Sequence, residues 1–521
     1  MKTTVDDPAQ TLDLSQGVKS QFIQTQAVRA RYAVYGVALA VSISVWLIAI
    51  RAPLWLDETG SYWQISAGFS KIWSRQYISF PAYTYILWLS TKILGTSEIA
   101  LRIPSVLAML GAVYLLYLGA RELFDRDTAM VAAVVFSLHP IVIFTSTGVR
   151  PYAFGALAVN AAILVLLRLR HSDSNWLAAL FGFLAACIVY FHYLFAVILP
   201  AFVVCFFVLK RGDRKTVWRQ FGVASAVFAV AFLPVIPGLR YLLSSPGTHV
   251  WEKSPSALDL IMTLAPNWLL PIFVVICFVA FLVAALRIRT QDSRIRFEPW
   301  RLVVCTSLVL TPILILYGIS VGSSIHIFAF YHRLVAVPGI ALCWALAMNR
   351  FRPPAMRVLF CLALAAAGAC MYFSPHARQT HSLTWKYALE VAEKNAASDN
   401  APVVICSEFI ESIYVPMPPL NSAKESGFFS PLSYYKLTVP VVPLPLTLND
   451  EAIRDGSQFL KEATRKHERF LALGAADRSY MTLDWLAQRT AGTYDVHELG
   501  IFDGIKVWEF DPRARVDDQR Q

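Results

Sequence analysis

The chain has 521 residues, of which 56% are hydrophobic and 16% charged, with a formal net charge of +11 and a mean hydropathy of +0.52. Soluble proteins of this length carry about 25% charged residues, so a wholly soluble protein is excluded. The basic residues fall in short clusters between apolar blocks, as the positive-inside rule requires, which argues against nucleic-acid binding.

The first 30 residues are polar and lack the short apolar core of a cleavable signal peptide, so residues 1–31 read as a cytoplasmic tail. Apolar blocks of roughly 18–22 residues match the length a helix needs to cross a bilayer, and backbone at that depth must bond to itself. They occur at about 32–50, 104–120, 128–147, 152–169, 176–191, 193–209, 218–237, 268–286, 302–320, 334–349 and 355–373. The expected architecture is mainly α: a polytopic helical bundle of about eleven spans over residues 32–373, with a long outer loop at 51–103. The apolar stretch Tyr83–Leu94 is too short to span and is expected to lie along the interface; a twelfth span there would invert everything after it.

Charge gives an orientation. With the N-terminus inside, the inner connections hold Arg121 and Arg126, Arg168 and Arg170, a cluster from Lys210 to Arg219, another from Arg287 to Arg301, and Arg350, Arg352 and Arg357. The outer connections are sparser in cations, and an odd number of spans puts the C-terminus outside. From residue 374 the composition changes. A helix-like stretch, Trp385–Asn395, and apolar runs at Ala401–Cys406, Phe470–Ala475, Met481–Arg489 and Ile505–Phe510 read as a small extracytoplasmic α/β domain over 374–521. The proline-rich segment Tyr414–Pro445 reads as an extended surface loop. The eight cysteines form no CxxC pair, so neither a zinc site nor a disulfide framework is indicated.

Ionisable residues near hydrocarbon are expensive and usually functional. The outer loop opens with Pro53-Leu54-Trp55-Leu56-Asp57-Glu58, two carboxylates beside a tryptophan at the membrane boundary. Such a pair can deprotonate a hydroxyl or hold a divalent cation; the plainer alternative is an acidic first turn of a loop helix. His139, beside Pro140, reads as a core histidine bonded to a freed carbonyl. Trp251, Glu252 and Lys253 occupy a later outer loop, and Glu408, Glu411 and Tyr414 read as surface residues.

Further segments stand in a telling order. Phe80-Pro81-Ala82-Tyr83 and Gly95-Thr96-Ser97-Glu98-Ile99-Ala100-Leu101-Arg102-Ile103-Pro104-Ser105 follow the acid pair. Gly148-Val149-Arg150-Pro151-Tyr152-Ala153, Phe191-His192-Tyr193-Leu194 and Tyr331-His332-Arg333-Leu334 come after them. Over roughly residues 30–345 this series resembles the GT-C membrane glycosyltransferases of the protein-mannosyltransferase and aminoarabinose-transferase type. The resemblance implies an inverting transferase that moves a sugar from a polyprenyl-phosphate carrier to a hydroxyl acceptor on the outer face. It implies Asp57 as the base, with Glu58 as second choice or as the group orienting it. A cation must meet the lipid phosphate, and arginine binds two phosphate oxygens at once; Arg333 is the first candidate and Arg150 the second. Tyr152, His192, Tyr193, Tyr331 and His332 are candidate substrate contacts.

Where relatives carry an acidic residue before the Arg-Pro-Tyr element, this chain has Ser146-Thr147-Gly148. Where they carry His-Pro-Pro or Glu-Lys-Pro, it has Ser79-Phe80-Pro81. No resident metal and no required cofactor are therefore expected, a divalent cation (magnesium or manganese) being the alternative. Lipid A, another glycolipid, a polysaccharide or a protein would serve as acceptor, in the plasma membrane, the inner membrane of a Gram-negative cell. The rival from another class is a transporter or flippase of lipid-linked sugars. Transporters place polar groups near the midplane of repeated halves, whereas here the charges stand at helix ends and no repeat is found. A non-catalytic scaffold would not need so many spans.

Overall fold

The computed structural model describes residues 8–73, 81–210, 212–244, 253–264, 298–349, 355–373, 384–409, 426–448, 450–475 and 480–513. Helix α1 (Pro8–Leu47) enters the bundle, and the chain after it forms α2 (Leu56–Ser66) and α3 (Pro81–Leu94). The bundle continues with α4 (Glu98–Leu123), α5 (Arg126–Leu138), α6 (Pro140–Ser146), α7 (Tyr152–Leu169), α8 (Asn175–Phe191) and α9 (Leu199–Leu209). Then follow α10 (Arg214–Phe232), α11 (Ile236–Ser244), α12 (Ala257–Leu264), α13 (Pro299–Gly322), α14 (Val337–Met348) and α15 (Ala355–Tyr372). Among the described residues seven helices are long and apolar enough to cross a membrane, or eight if a bent pair counts as one span. The segments expected at 176–191 and 193–209 are shorter apolar helices, the second opening with a 3-10 turn at Tyr193–Ile198. The span expected at 268–286 lies outside the described residues.

The bent pair corrects the sequence reading of 128–147 as one straight span. Proline at 140 has no N–H and its ring clashes with the preceding turn. The helix stops at His139, whose backbone is extended, and restarts as α6 at an angle of 65°. His139 is also corrected: its Nδ1 accepts the Ile141 N–H at 3.3 Å, capping α6, rather than bonding a carbonyl. The break turns the chain so that residues 147–151 double back toward the outer loop. Elsewhere the helices pack through small residues, as membrane bundles require. A Cβ on Gly182 of α8 would stand 2.1 Å from the Ala224 carbonyl oxygen of α10, and one on Gly339 of α14 would meet the Leu308 backbone at 2.7 Å.

The C-terminal part is an α/β domain with strand order β2-β1-β3-β5-β4. Strands β1 (Val403–Cys406), β2 (Val441–Leu444) and β3 (Phe470–Ala475) run parallel, whereas β4 (Tyr494–Phe502) and β5 (Ile505–Pro512) pair antiparallel. Successive side chains of β1 point to opposite faces. Val403 and Ile405 pack with α16 (Lys386–Ala396) through Ala388, Leu389 and Ala392. Val404 and Cys406 pack with Leu460 of α18 (Asp450–Lys466) and Leu483 of α19 (Tyr480–Thr490). Residues 426–445 are not the expected surface loop. They carry the short helix α17 (Ser430–Tyr434), buried Phe428, Phe429 and Pro431, and strand β2. Pro443 is tolerated because β2 is an edge strand, where a missing N–H costs no ladder bond.

Candidate active site

The segment between α1 and α4 is built around one buried cation. Arg102 in α4 is 1% exposed, donates to the carbonyls of Ile50, Ala52 and Pro53, and bonds the Glu58 carboxylate at 2.6 Å. Glu58 is fully buried. Its second oxygen accepts the Val149 N–H at 2.7 Å, and the oxygen facing Arg102 also accepts the Trp55 N–H at 3.2 Å. Ser105, one turn along α4, donates to the Gly148 carbonyl at 2.6 Å. One helix of the bundle thus fixes both the head of the loop and the 147–151 turn that the Pro140 break delivers. Both oxygens of Glu58 are committed to Arg102 and to backbone amides, and the carboxylate closes the first turn of α2 through the Trp55 N–H.

Asp57, one residue earlier, is differently placed. Its side chain is 26% exposed and meets Arg150 at 3.5 Å, and Arg150 also donates to the Asp57 carbonyl at 3.3 Å. Arg150 lies over the Tyr152 ring at 5.7 Å, and its Nε has no hydrogen-bond partner among the described residues. Beneath it the rings form a continuous floor. Tyr152 stands 4.9 Å from Tyr331 and 5.2 Å from His192, and His192 stands 5.2 Å from His332. Tyr193 stacks on His192 at 5.5 Å. Four separate segments, none within 35 residues of the next, therefore converge: the start of α2, the 147–151 turn, the α8–α9 joint and the 331–336 turn.

Arg333 sits one step aside. Its guanidinium covers the rings of Phe328 at 4.9 Å and Phe330 at 5.5 Å, and donates to Thr263 Oγ of α12 at 2.7 Å. Phe330 packs on Phe144, and Phe144 on Trp55, the residue that opens α2. Alongside runs an apolar groove of about 160 Å³ lined by Trp46, Ile48, Ile143, Phe144, Phe330 and Tyr372. Lys253 is exposed, while Trp251, Glu252, Phe80, Glu411 and Tyr414 lie outside the described residues. Glu408, read from the sequence as a surface residue, is instead 2% exposed and accepts the Ala475 N–H at 2.6 Å. Among the described residues no group of three His, Cys, Asp or Glu side chains is arranged to hold a metal ion.

Residues 80–241 match the profile of the family described as dolichyl-phosphate-mannose-protein mannosyltransferase. Across solved structures, the chain is similar to ArnT from Cupriavidus metallidurans bound to undecaprenyl phosphate. The TM-score is 0.54 at 10% identity, covering 91% of this chain and 97% of that one. The apo state of the same protein gives 0.53 at 11% identity, covering 92% and 98%. No curated protein matches by sequence. The fold is that of the GT-C membrane glycosyltransferases, an ArnT-like helical bundle with a small C-terminal sheet domain. The stretch that matches the mannosyltransferase-family profile runs from just before α3 into α11.

Proposed function

We propose that the chain transfers a single sugar from a polyprenyl-phosphate carrier to a hydroxyl acceptor, on the outer face of the plasma membrane and with inversion. The observation that carries this reading is the contrast within the acid pair. Glu58 is consumed by Arg102 and two backbone amides, whereas Asp57 keeps an open side next to Arg150, above a floor of aromatic rings. Asp57 would accept the acceptor's proton as its oxygen attacks the anomeric carbon. General-base help of this kind is worth about 10²–10⁴-fold.

As the glycosidic bond breaks, its electron pair and negative charge go to the lipid phosphate. A guanidinium fixed at the mouth of an apolar groove suits that leaving group, because the groove takes the isoprenoid chain while the cation meets the phosphate. Arg333, which lies over the ring of the groove residue Phe330, would be that cation, and Arg150 would supply the second next to the base. Undecaprenyl phosphate, the lipid bound in the ArnT structure, is a carrier of this chemistry. Tyr152, His192, Tyr193, Tyr331 and His332 would line the sugar and acceptor side. No cofactor is proposed as required.

The test is transfer in membranes supplied with radiolabelled polyprenyl-phosphate sugars and extracted glycolipid, polysaccharide or protein acceptors. The wild-type chain should label one acceptor class, and Asp57→Asn should abolish labelling. Undiminished transfer by that variant would remove Asp57 from the mechanism.

A further inference from the structure

Helix α2 is held between two bodies, and its periodicity divides its residues between them. Positions 57, 58 and 61 face the membrane bundle, where Glu58 meets Arg102. Positions 56, 59, 60 and 63, spaced by three and four, face the C-terminal domain. Leu56 lines a small cavity together with Trp385, Ile405, Glu408, Phe428 and Phe429 of the domain. Gly60 leaves room for Phe409, and Trp63 lies against Gly427.

The place that α2 occupies on the domain is significant. In open α/β sheets a ligand binds beyond the carboxyl ends of the strands, where the chain leaves one central strand for neighbours on opposite sides. Here that central strand is β1, flanked by β2 and β3. Glu408, just past β1, reaches across to the Ala475 N–H that ends β3, and Leu56 shares with Glu408 the lining of a small cavity there. The domain grips α2 where folds of this kind grip a ligand.

Two hydroxyl contacts set the register. Thr59 Oγ donates its proton to the Leu56 carbonyl at 2.6 Å, so in the buried 2.8 Å contact between Thr59 Oγ and Ser430 Oγ the donor is Ser430. The Leu54 N–H donates to the Tyr435 hydroxyl at 2.7 Å. That hydroxyl donates in turn to Glu98 at 3.4 Å, which Lys386 also meets at 3.2 Å. Leu54 heads the outer loop and Glu98 ends it, so one tyrosine joins both ends.

We propose that Ser430 and Tyr435 are positioning residues: they act through Thr59 and Leu54 to hold Asp57 at the reacting hydroxyl. This rests on the reading of Asp57 given above. Misplacing a reacting group by about 1 Å costs on the order of 100-fold. Ser430→Ala and Tyr435→Phe should each lower kcat by about tenfold, and the double variant by about 100-fold, with donor KM changed less than about twofold. Thr59→Val should mimic Ser430→Ala, and Thr59→Ser should retain activity. Hydrogen exchange on the purified full-length chain in lipid discs gives a second readout independent of turnover. In the double variant the amides of residues 56–66 should exchange at least about tenfold faster while α4 and α7 stay protected. Unchanged kcat and protection would overturn the proposal. So would loss of protection spread evenly over α4 and α7, or a rise in donor KM at constant kcat. If the wild-type chain transfers no sugar, the functional reading fails, and the exchange experiment alone decides whether Ser430 and Tyr435 hold the helix.

Discussion

The two ends of the helical bundle handle charge in opposite ways. At the end where α4 passes into α5, three ion pairs close to 3.0 Å or less, while Arg168 and Glu122 on the half-exposed rim stay 3.5 Å apart. Asp125 caps α5 through the Thr128 N–H and receives Arg357 on both oxygens at 2.8 Å, Arg31 meets Asp127 at 2.9 Å, and Lys210 meets Asp173 at 3.0 Å. Each pair ties the start or end of one helix to a neighbour. At the other end, Glu58 and Arg102 make one more closed pair, but Asp57 and Arg150 stand 3.5 Å apart, with the acid partly exposed and one guanidinium nitrogen unsatisfied. Closed pairs build; the loose one is where the proposed function puts the substrate. The difference lies in how closely the partners meet and in the aromatic floor beneath the looser pair, not in the presence of charge.

The sharpest way to break this comparison is to neutralise the adjacent carboxylates one at a time. Asp57→Asn should reduce transfer by about 10²–10⁴-fold and leave the unfolding temperature in detergent unchanged. Glu58→Gln should do something different. It leaves Arg102 buried without its counter-charge, which costs about 3–5 kcal/mol, so thermal stability and membrane yield should both fall. If the two variants lost stability equally, the division between a constructional and a chemical carboxylate would collapse. Smaller effects should follow from the cations. Arg333→Gln and Arg150→Gln each remove a charged hydrogen-bond donor worth about 1.5–3 kcal/mol, equivalent to roughly 10–150-fold. In the proposed mechanism Arg333 meets the phosphate before reaction and Arg150 flanks the base, so Arg333→Gln should act mainly on donor KM and Arg150→Gln also on kcat. Chelation of divalent cations with EDTA should change transfer less than about twofold if no metal serves the reaction, as both carboxylates already face guanidinium groups.

Much of this was legible in the sequence, and what was missed has a physical pattern. The membrane character, helix α7 over residues 152–169 and the apolar strands β1 and β3 follow from local composition and periodicity. The acid pair stood out as carboxylates at the membrane boundary, and Arg150 and Arg333 as cations suited to a phosphate within the family-like motifs, not through any contact that a sequence displays. Arg102 was counted only as an outer-loop cation within Leu101-Arg102-Ile103-Pro104, although it organises the loop. Its role depends on three carbonyls some 50 residues upstream, and no periodicity encodes that. Proline misled in both directions. Pro140 breaks a span that hydropathy alone reads as continuous, whereas Pro443 sits in a strand because an edge position forgives it. Strand β4, in which Tyr494 alone is fully buried, is set by pairing with β5 rather than by its own apolar content.

The smallest expected effect belongs to the closed end and tests the comparison from the other side. Asp125 lies outside the spans. Burial pushes its carboxyl up, but the Thr128 N–H and the Arg357 guanidinium outweigh that and hold it below the usual carboxylate range. A depressed acid stabilises the fold above its unfolded value of about 3.9, and that contribution disappears as pH falls through the lower folded value. The side chain is 51% exposed, so the whole contribution is about 0–1 kcal/mol. Asp125→Asn should therefore leave transfer within about twofold at neutral pH and lower thermal stability slightly. The stability difference from wild type should be constant above about pH 5 and vanish in acid. A loss of transfer comparable to that of Asp57→Asn would mean that the far end of the bundle is coupled to the chemistry, and that closure of an ion pair does not separate construction from function.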